Sequence, residues 1–249
     1  MSIEMRDVHK SFGANRVLTG FTLEAREGET LVVMGRSGSG KSVTLKLIVG
    51  LLEADQGEVE VDGKQVAELD PRGLQELRGG IGYVFQFAAL FDSMSVGENV
   101  GMGLVRTGRF SRPEVRERVE ECLELVGLGG FTDRLPSELS GGQRKRAGIA
   151  RAIATRPKYI LYDEPTTGLD PITKTVIDRL ILRMNKELGV TGVVVTHDLE
   201  SAYRVGDRIA MLYEGRNRFL GTPDELRASE DPVVKGFVLG EPELLEGES

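Results

Sequence analysis

Three stretches of the chain combine residue types that handle phosphate. Gly35-Arg36-Ser37-Gly38-Ser39-Gly40-Lys41-Ser42 has the spacing G-x-x-x-x-G-K-[ST], a P-loop. Glycines carry no Cβ, so backbone N–H groups can close around an anion. Lys41 suits the β- and γ-phosphates of a nucleoside triphosphate, and the Ser42 hydroxyl suits Mg²⁺. Asp163-Glu164 is the second stretch. Asp163 sits where a carboxylate holds Mg²⁺ through its water shell, and Glu164, pointing differently, can polarise an attacking water. The third is Leu139-Ser140-Gly141-Gly142-Gln143, a serine and two glycines opening a helix. It makes a second anion-binding helix end. If the two phosphate-binding helix starts lie on opposite faces, two chains must pair head-to-tail to enclose each nucleotide.

These groups need strands and helices to hold them. The apolar run Leu31 to Met34 reads as a buried strand before the loop, and Val43, Leu45, Leu47 and Ile48 offer a helical core face after it. Such a helix points the positive end of its dipole at the bound phosphate. Tyr159 to Tyr162 reads as a buried strand ending in the acid pair, and Val190 to Thr196 as another, closed by His197-Asp198. Ile3–Val8 and Phe21–Ala25 read as short half-buried strands around a turn, His9 to Gly13, that exposes Phe12. Gly57 to Gly63 alternates polar and apolar, an antiparallel strand. Ile81 to Gln86 is a strand ending in glutamine, after which Phe87 to Gly103 changes character without a readable element. Helices are expected from Ser111, with a cap and Pro113, to about Val126, from Arg144 to Thr155, and from about Thr173 to Leu188. Ile209–Tyr213 and Arg216–Leu220 form a hairpin. Residues 225–240 look helical in pieces, and 241–249 form an acidic tail. Strands alternating with helices around a P-loop indicate an α/β ATPase.

Composition narrows the classes. The 249 residues are 40% hydrophobic and 29% charged, ordinary for a globular protein. No apolar run approaches the roughly 20 residues that cross a bilayer, and the first residues lack a signal-peptide core. A net charge of −7 argues against a chain built to grip nucleic acid. The one cysteine, Cys122, excludes a disulfide framework or a cysteine zinc site, and its helical surroundings predict a buried structural thiol.

Leu139-Ser140-Gly141-Gly142-Gln143 resembles the signature of ABC-type ATPases, and the motifs agree with that family in order over residues 3–225. The resemblance implies the ABC ATPase fold: a RecA-like core with antiparallel flank over 1–87 and 155–228, a helical signature subdomain over 88–154 and an extension over 229–249. It implies ATP and Mg²⁺. Phe12 corresponds to the aromatic that stacks on adenine. Gly35, Arg36, Ser37, Gly38, Ser39, Gly40, Lys41, Ser42 and Val43 correspond to the loop around the phosphates. Gln86 corresponds to the glutamine that senses Mg²⁺ and water. Asp163 and Glu164 correspond to the metal-binding aspartate and catalytic base, and His197 to the γ-phosphate switch. Ser140, Gly141, Gly142 and Gln143 would meet ATP on a second copy of the chain, with Asp170 at that interface.

Phe85-Gln86-Phe87-Ala88-Ala89-Leu90-Phe91-Asp92-Ser93-Met94-Ser95-Val96 is similar to the corresponding region of Mla-type ATPases of MCE-associated phospholipid transporters. Asp170–Thr173, Leu188–Thr191 and Asp231–Phe237 share that likeness. It implies a multi-spanning permease and an MCE-domain lipid-binding protein as partners, with room for a small regulatory subunit and no nucleic acid. The chain would sit on the cytoplasmic face of the inner membrane. ATPase subunits of importers for amino acids or other polar solutes share the same catalytic motifs, as do soluble ABC ATPases that act outside transport, a class that the acidic charge balance and the short insert between Gln86 and Ser140 argue against.

Overall fold

The computed structural model describes residues 2–241. The acidic tail, beyond Glu241, lies outside them. In chain order, strands β1 (Ser2–Phe12), β2 (Asn15–Arg26) and β3 (Thr30–Met34) precede helix α1 (Lys41–Ile48). Strands β4 (Gln56–Val61) and β5 (Lys64–Gln65), helix α2 (Pro71–Gly79) and strand β6 (Ile81–Val84) follow. Helices α3 (Val96–Thr107), α4 (Arg112–Leu125) and α5 (Gly141–Ile153) come next, then strand β7 (Tyr159–Asp163) and helix α6 (Pro171–Leu188). Last are β8 (Thr191–Thr196), α7 (Leu199–Val205), β9 (Arg208–Tyr213), β10 (Arg216–Gly221), α8 (Pro223–Arg227) and α9 (Pro232–Leu239). The chain divides into two compact units, Met1–Leu74 with Thr191–Ser249, and Gln75–Val190.

In the first unit β3 lies between β8 and β9, parallel to both. Every residue of β3 and β8 is buried. Strands covered on both faces need apolar residues at consecutive positions, hence the unbroken runs in sequence. β10 returns antiparallel to β9 through Glu214 and Gly215, both at positive φ. β1 pairs antiparallel with β2 on one side and β4 on the other.

The expected turn at His9 to Gly13 is absent as drawn. His9, Lys10 and Ser11 pair with Thr19, Leu18 and Arg16, and the reversal falls after Phe12. The alternation misleads because β1 is bulged: its register shifts between Met5 and Val8, around Asp7 at φ 48°. Gly57 makes the bulge possible. A Cβ on it would lie 2.2 Å from the Asp7 carbonyl oxygen, and its φ is +85°. Gly57→Ala is expected to lower the unfolding free energy by about 2 kcal/mol or more, read as a shifted urea midpoint at unchanged slope.

In the second unit β6 and β7 pair in parallel, Ile81 opposite Tyr159. Gly82 lets α5 close on β6, since a Cβ there would meet the Ala152 carbonyl oxygen at 2.5 Å. The stretch 87–103, which shows no readable element in sequence, ends inside α3, and α2 has no sequence signal either. α3 hides behind its glycines, which are poor helix formers. They serve close packing: a Cβ on Gly97 would meet Thr132 at 2.5 Å, one on Gly101 would meet Val115 and Val119 at 3.1 Å, and one on Gly103 would meet Thr155 at 2.9 Å. Ser95 and Glu98 form its capping box. α4 begins at its expected cap, Ser111 with Glu114. Cys122 is fully buried within it, and burial pushes its thiol up to about 11. α5 begins three residues earlier than expected, and α6 two, because Ser140 and Asp170 act as N-caps. Among the described residues no helix is long and apolar enough to cross a membrane.

Candidate nucleotide-binding and catalytic site

The sequence-predicted residues fall into one group in each unit. In the first unit the loop 35–40 joins buried β3 to α1. Gly35 packs against β9, where a Cβ would lie 2.5 Å from the Leu212 carbonyl oxygen. Gly40 has φ +102°, and its Cβ would lie 2.5 Å from Val17 of β2. Both glycines are therefore required by the neighbouring strands as well as by an anion. α1 starts at Gly40 with no side-chain cap. Lys41 is buried and folds back over the loop, its Nζ donating to the carbonyls of Gly35 at 2.8 Å and Arg36 at 3.0 Å. Ser39 Oγ is buried beside the loop with no hydrogen-bond partner.

This arrangement fits a triphosphate. The cradle is lined by positions where a side chain would clash, a cation folds across it, and a buried hydroxyl and an uncapped helix start offer donors. His197 follows β8 directly and is exposed, and Asp198 beside it caps α7 through Ser201 N at 3.1 Å.

Phe12 ends β1 and is 47% exposed. Asp55 holds that strand end: it accepts from Ser11 N at 2.6 Å and Lys10 Nζ at 2.7 Å, and its own N–H donates to the His9 carbonyl at 2.9 Å. These bonds keep the Asp55 carboxyl below its usual range, the Lys10 bond most of all. An aromatic ring presented this way is a stacking platform. Phe12→Ala is expected to weaken ATP binding about tenfold and to leave inorganic triphosphate binding unchanged, as calorimetry of both ligands would measure.

The second unit holds the acids, the glutamine and the signature. β7 is buried throughout and ends at Asp163, whose Oδ2 accepts from the Tyr83 hydroxyl at 3.3 Å. Burial, then the Asp163 charge, drives the Tyr83 phenol well above its ordinary range. Glu164 follows at φ 47°, a left-handed conformation that a non-glycine residue holds only where its surroundings impose it. Its Oε2 accepts from Thr167 Oγ1 at 3.1 Å, and it is 7% exposed. Gln86 lies half-buried just past β6.

At the α5 start, Ser140 Oγ accepts from Gln143 N at 3.2 Å while Gln143 Oε1 accepts from Ser140 N at 2.8 Å. The serine thereby keeps its own proton to donate, whereas the glutamine carboxamide oxygen is occupied in capping. Gly142 touches the α6 start, where a Cβ would lie 2.5 Å from Thr173 Cγ2. Asp170 caps α6, accepting from the N–H groups of Ile172 and Thr173 at 3.0 Å. The Thr173 hydroxyl also donates to Asp170 Oδ2, and that bond first, then the backbone ones, holds its carboxyl below the usual range.

Sequence reasoning missed Tyr83, Asp55, Lys145 and Arg151. Lys145 Nζ donates to the Gln86 carbonyl and, at 3.3 Å, to that of Glu164. Arg151 donates to the carbonyls of Ala89 at 2.6 Å and Ala88 at 2.7 Å. A cation at the fifth or eleventh residue of a helix reads as a solvated face, and its backbone acceptors leave no mark in sequence.

By fold this is an α/β ATPase of the P-loop class. A family model described as ABC transporter matches residues 18–167. "Protein TRIGALACTOSYLDIACYLGLYCEROL 3, chloroplastic" of Arabidopsis thaliana is 44% identical over 255 residues, spanning 96% of this chain and 73% of the relative. "Probable ribonucleotide transport ATP-binding protein mkl" of Mycobacterium leprae is 40% identical over 240 residues, 96% of this chain and 69% of the relative. A dimeric ATP-binding cassette solved in a post-hydrolysis state with ADP and Pi superposes with a TM-score of 0.81 at 38% identity, over 89% of this chain and 98% of that one. The chain belongs to the ABC transporter family, has its ATPase fold, and is an ATP-hydrolysing cassette using ATP and Mg²⁺.

Proposed function

We propose that this cassette drives phospholipid transport as the ATPase subunit of an MCE-type permease complex, two copies closing head-to-tail on ATP. The observation that supports a lipid cargo is the 44% identity, over 96% of the chain, to a relative named for a glycolipid. The likeness of 85–96 to Mla-type ATPases supports it. In that reading Phe12 stacks on adenine. Gly35 to Val43 hold the phosphates, with Lys41 neutralising their charge. Ser140, Gly141 and Gly142 meet the γ-phosphate of ATP on the other copy, and Asp170 lies at the shared surface. Ser42, Gln86 and Asp163 would hold Mg²⁺, which would supply positive charge against the triphosphate. Glu164 accepts the proton of the attacking water, and His197 donates to the γ-phosphate. Catalysis of this kind rests on positioning and charge complementarity. The division into a core over 1–87 and 155–228, a signature subdomain over 88–154 and an extension from 229 belongs to the same proposal, as does a peripheral location on the cytoplasmic face of the inner membrane.

Phe87 and Phe91, 83% and 54% exposed in the loop after Gln86, suit the apolar face of a permease helix. A second reading, transport of a small polar solute, is favoured by the 40% identity to a relative named for ribonucleotide transport. Purifying the tagged chain from its own membranes in mild detergent separates the two. A permease, an MCE-domain protein and bound phospholipid are expected. A different permease with a solute-binding protein would keep the ATPase and overturn the cargo.

A further inference from the structure

Helix α5 does more than present Ser140 to Gly142 at its start. Further along it, Gly148 lets the loop after Gln86 lie on the helix, with Ala88 Cβ 3.4 Å from where a Cβ would stand. Ala88 and Ala89 are both left-handed, at φ 60° and 47°. Consecutive non-glycine residues stay there only when their surroundings impose it. Arg151 does so, taking both carbonyls. Lys145, 7% exposed, joins the carbonyls of Gln86 and Glu164 through one ammonium. A buried ammonium between two carbonyls is a rigid spacer, because moving either partner strands a charge away from water. Burial pulls its pKa down, while the charges of Glu164 and Asp163 push the other way.

We propose that Lys145 is a positioning residue for ATP hydrolysis, holding Glu164 and Gln86 at a set separation on α5, so that nucleotide engaged at the α5 start fixes both. The inference rests on the roles proposed above for Glu164, Gln86 and the signature.

The full-length chain carries the test. Lys145→Met keeps an unbranched side chain, one atom shorter, and removes all its donors. Its kcat is expected to fall about 30-fold at a KM within about threefold of wild type, the signature of a misplaced group rather than a lost binding contact. Lys145→Gln, with two amide donors on a shorter stem, is expected to fall between the two. The chain has no tryptophan, so Phe87→Trp places a single tryptophan, excited selectively at the red edge of its absorption, in the loop after Gln86. Its emission should change on adding ATP and Mg²⁺ with Lys145 intact and stay constant with Lys145→Met.

Wild-type kcat in Lys145→Met overturns the proposal. So does a rise in KM that accounts for the lost rate, an equal emission change in both backgrounds, or no change with Lys145 intact. Should Lys145→Met fail to fold, Lys145→Gln decides: a lower kcat at unchanged KM supports the proposal, and wild-type kcat overturns it. Glu164→Gln runs beside them. If that variant hydrolyses ATP normally, the reading of Glu164 as base fails. If it is inactive while Lys145→Met is normal, only the spacer fails.

Discussion

Glu164→Gln is expected to bind ATP as tightly as wild type and to hydrolyse it about 1000-fold more slowly, the scale lost when a positioned general base is removed. The substitution is nearly isosteric. The Thr167 hydroxyl that donates to Glu164 Oε2 can donate to the amide oxygen instead, and the φ of 47° and the Lys145 bond to the backbone carbonyl are untouched. What is lost is a buried group able to take a proton from water. With binding intact and turnover stopped, the ATP-bound dimer should accumulate. Size-exclusion chromatography with ATP and Mg²⁺ should show it, and the same run without nucleotide should not. Wild-type turnover, measured as phosphate release, would remove Glu164 from the role of base.

Lys41→Ala is expected to weaken ATP binding about 100-fold, the cost of a lost charge-assisted bond to phosphate. Lys41 is already placed: its ammonium lies across the loop on the Gly35 and Arg36 carbonyls, so little side-chain freedom remains to be lost when phosphate arrives. Because those two carbonyls border the cradle, water can replace the lysine on them, and the thermal midpoint without nucleotide should move by only a few degrees. Lys41→Arg should not rescue binding, since a planar fork does not fit a space shaped for a point charge. The check is calorimetric titration of ATP beside a thermal melt. Unchanged affinity would show that the loop's backbone N–H groups and helix start carry the binding alone.

The largest effects thus fall on residues legible from sequence, for a physical reason. A phosphate cradle is made by one contiguous strand, turn and helix, so its glycines, lysine and serine must sit at fixed intervals. Asp163-Glu164 ends a strand buried on both faces, which needs the apolar run before it, and Ser140 with its two glycines is readable as a phosphate-binding helix start, although its capping bond with Gln143 emerged only in the structure. Such local geometry prints directly into spacing, and the α/β class and ATP chemistry followed from it. Tertiary structure alone decided the rest. The bulge at Asp7 arises because Gly57 of another strand passes it, and it breaks the alternation that placed the turn too early. α3 is stable because its glycines meet Thr132, Val115 and Thr155, partners far along the chain that local propensity does not see. Lys145 and Arg151 act on backbone carbonyls about 60 residues away for the loop after Gln86. Every residue carries a carbonyl, so nothing in a side-chain pattern says which ones a buried cation will find.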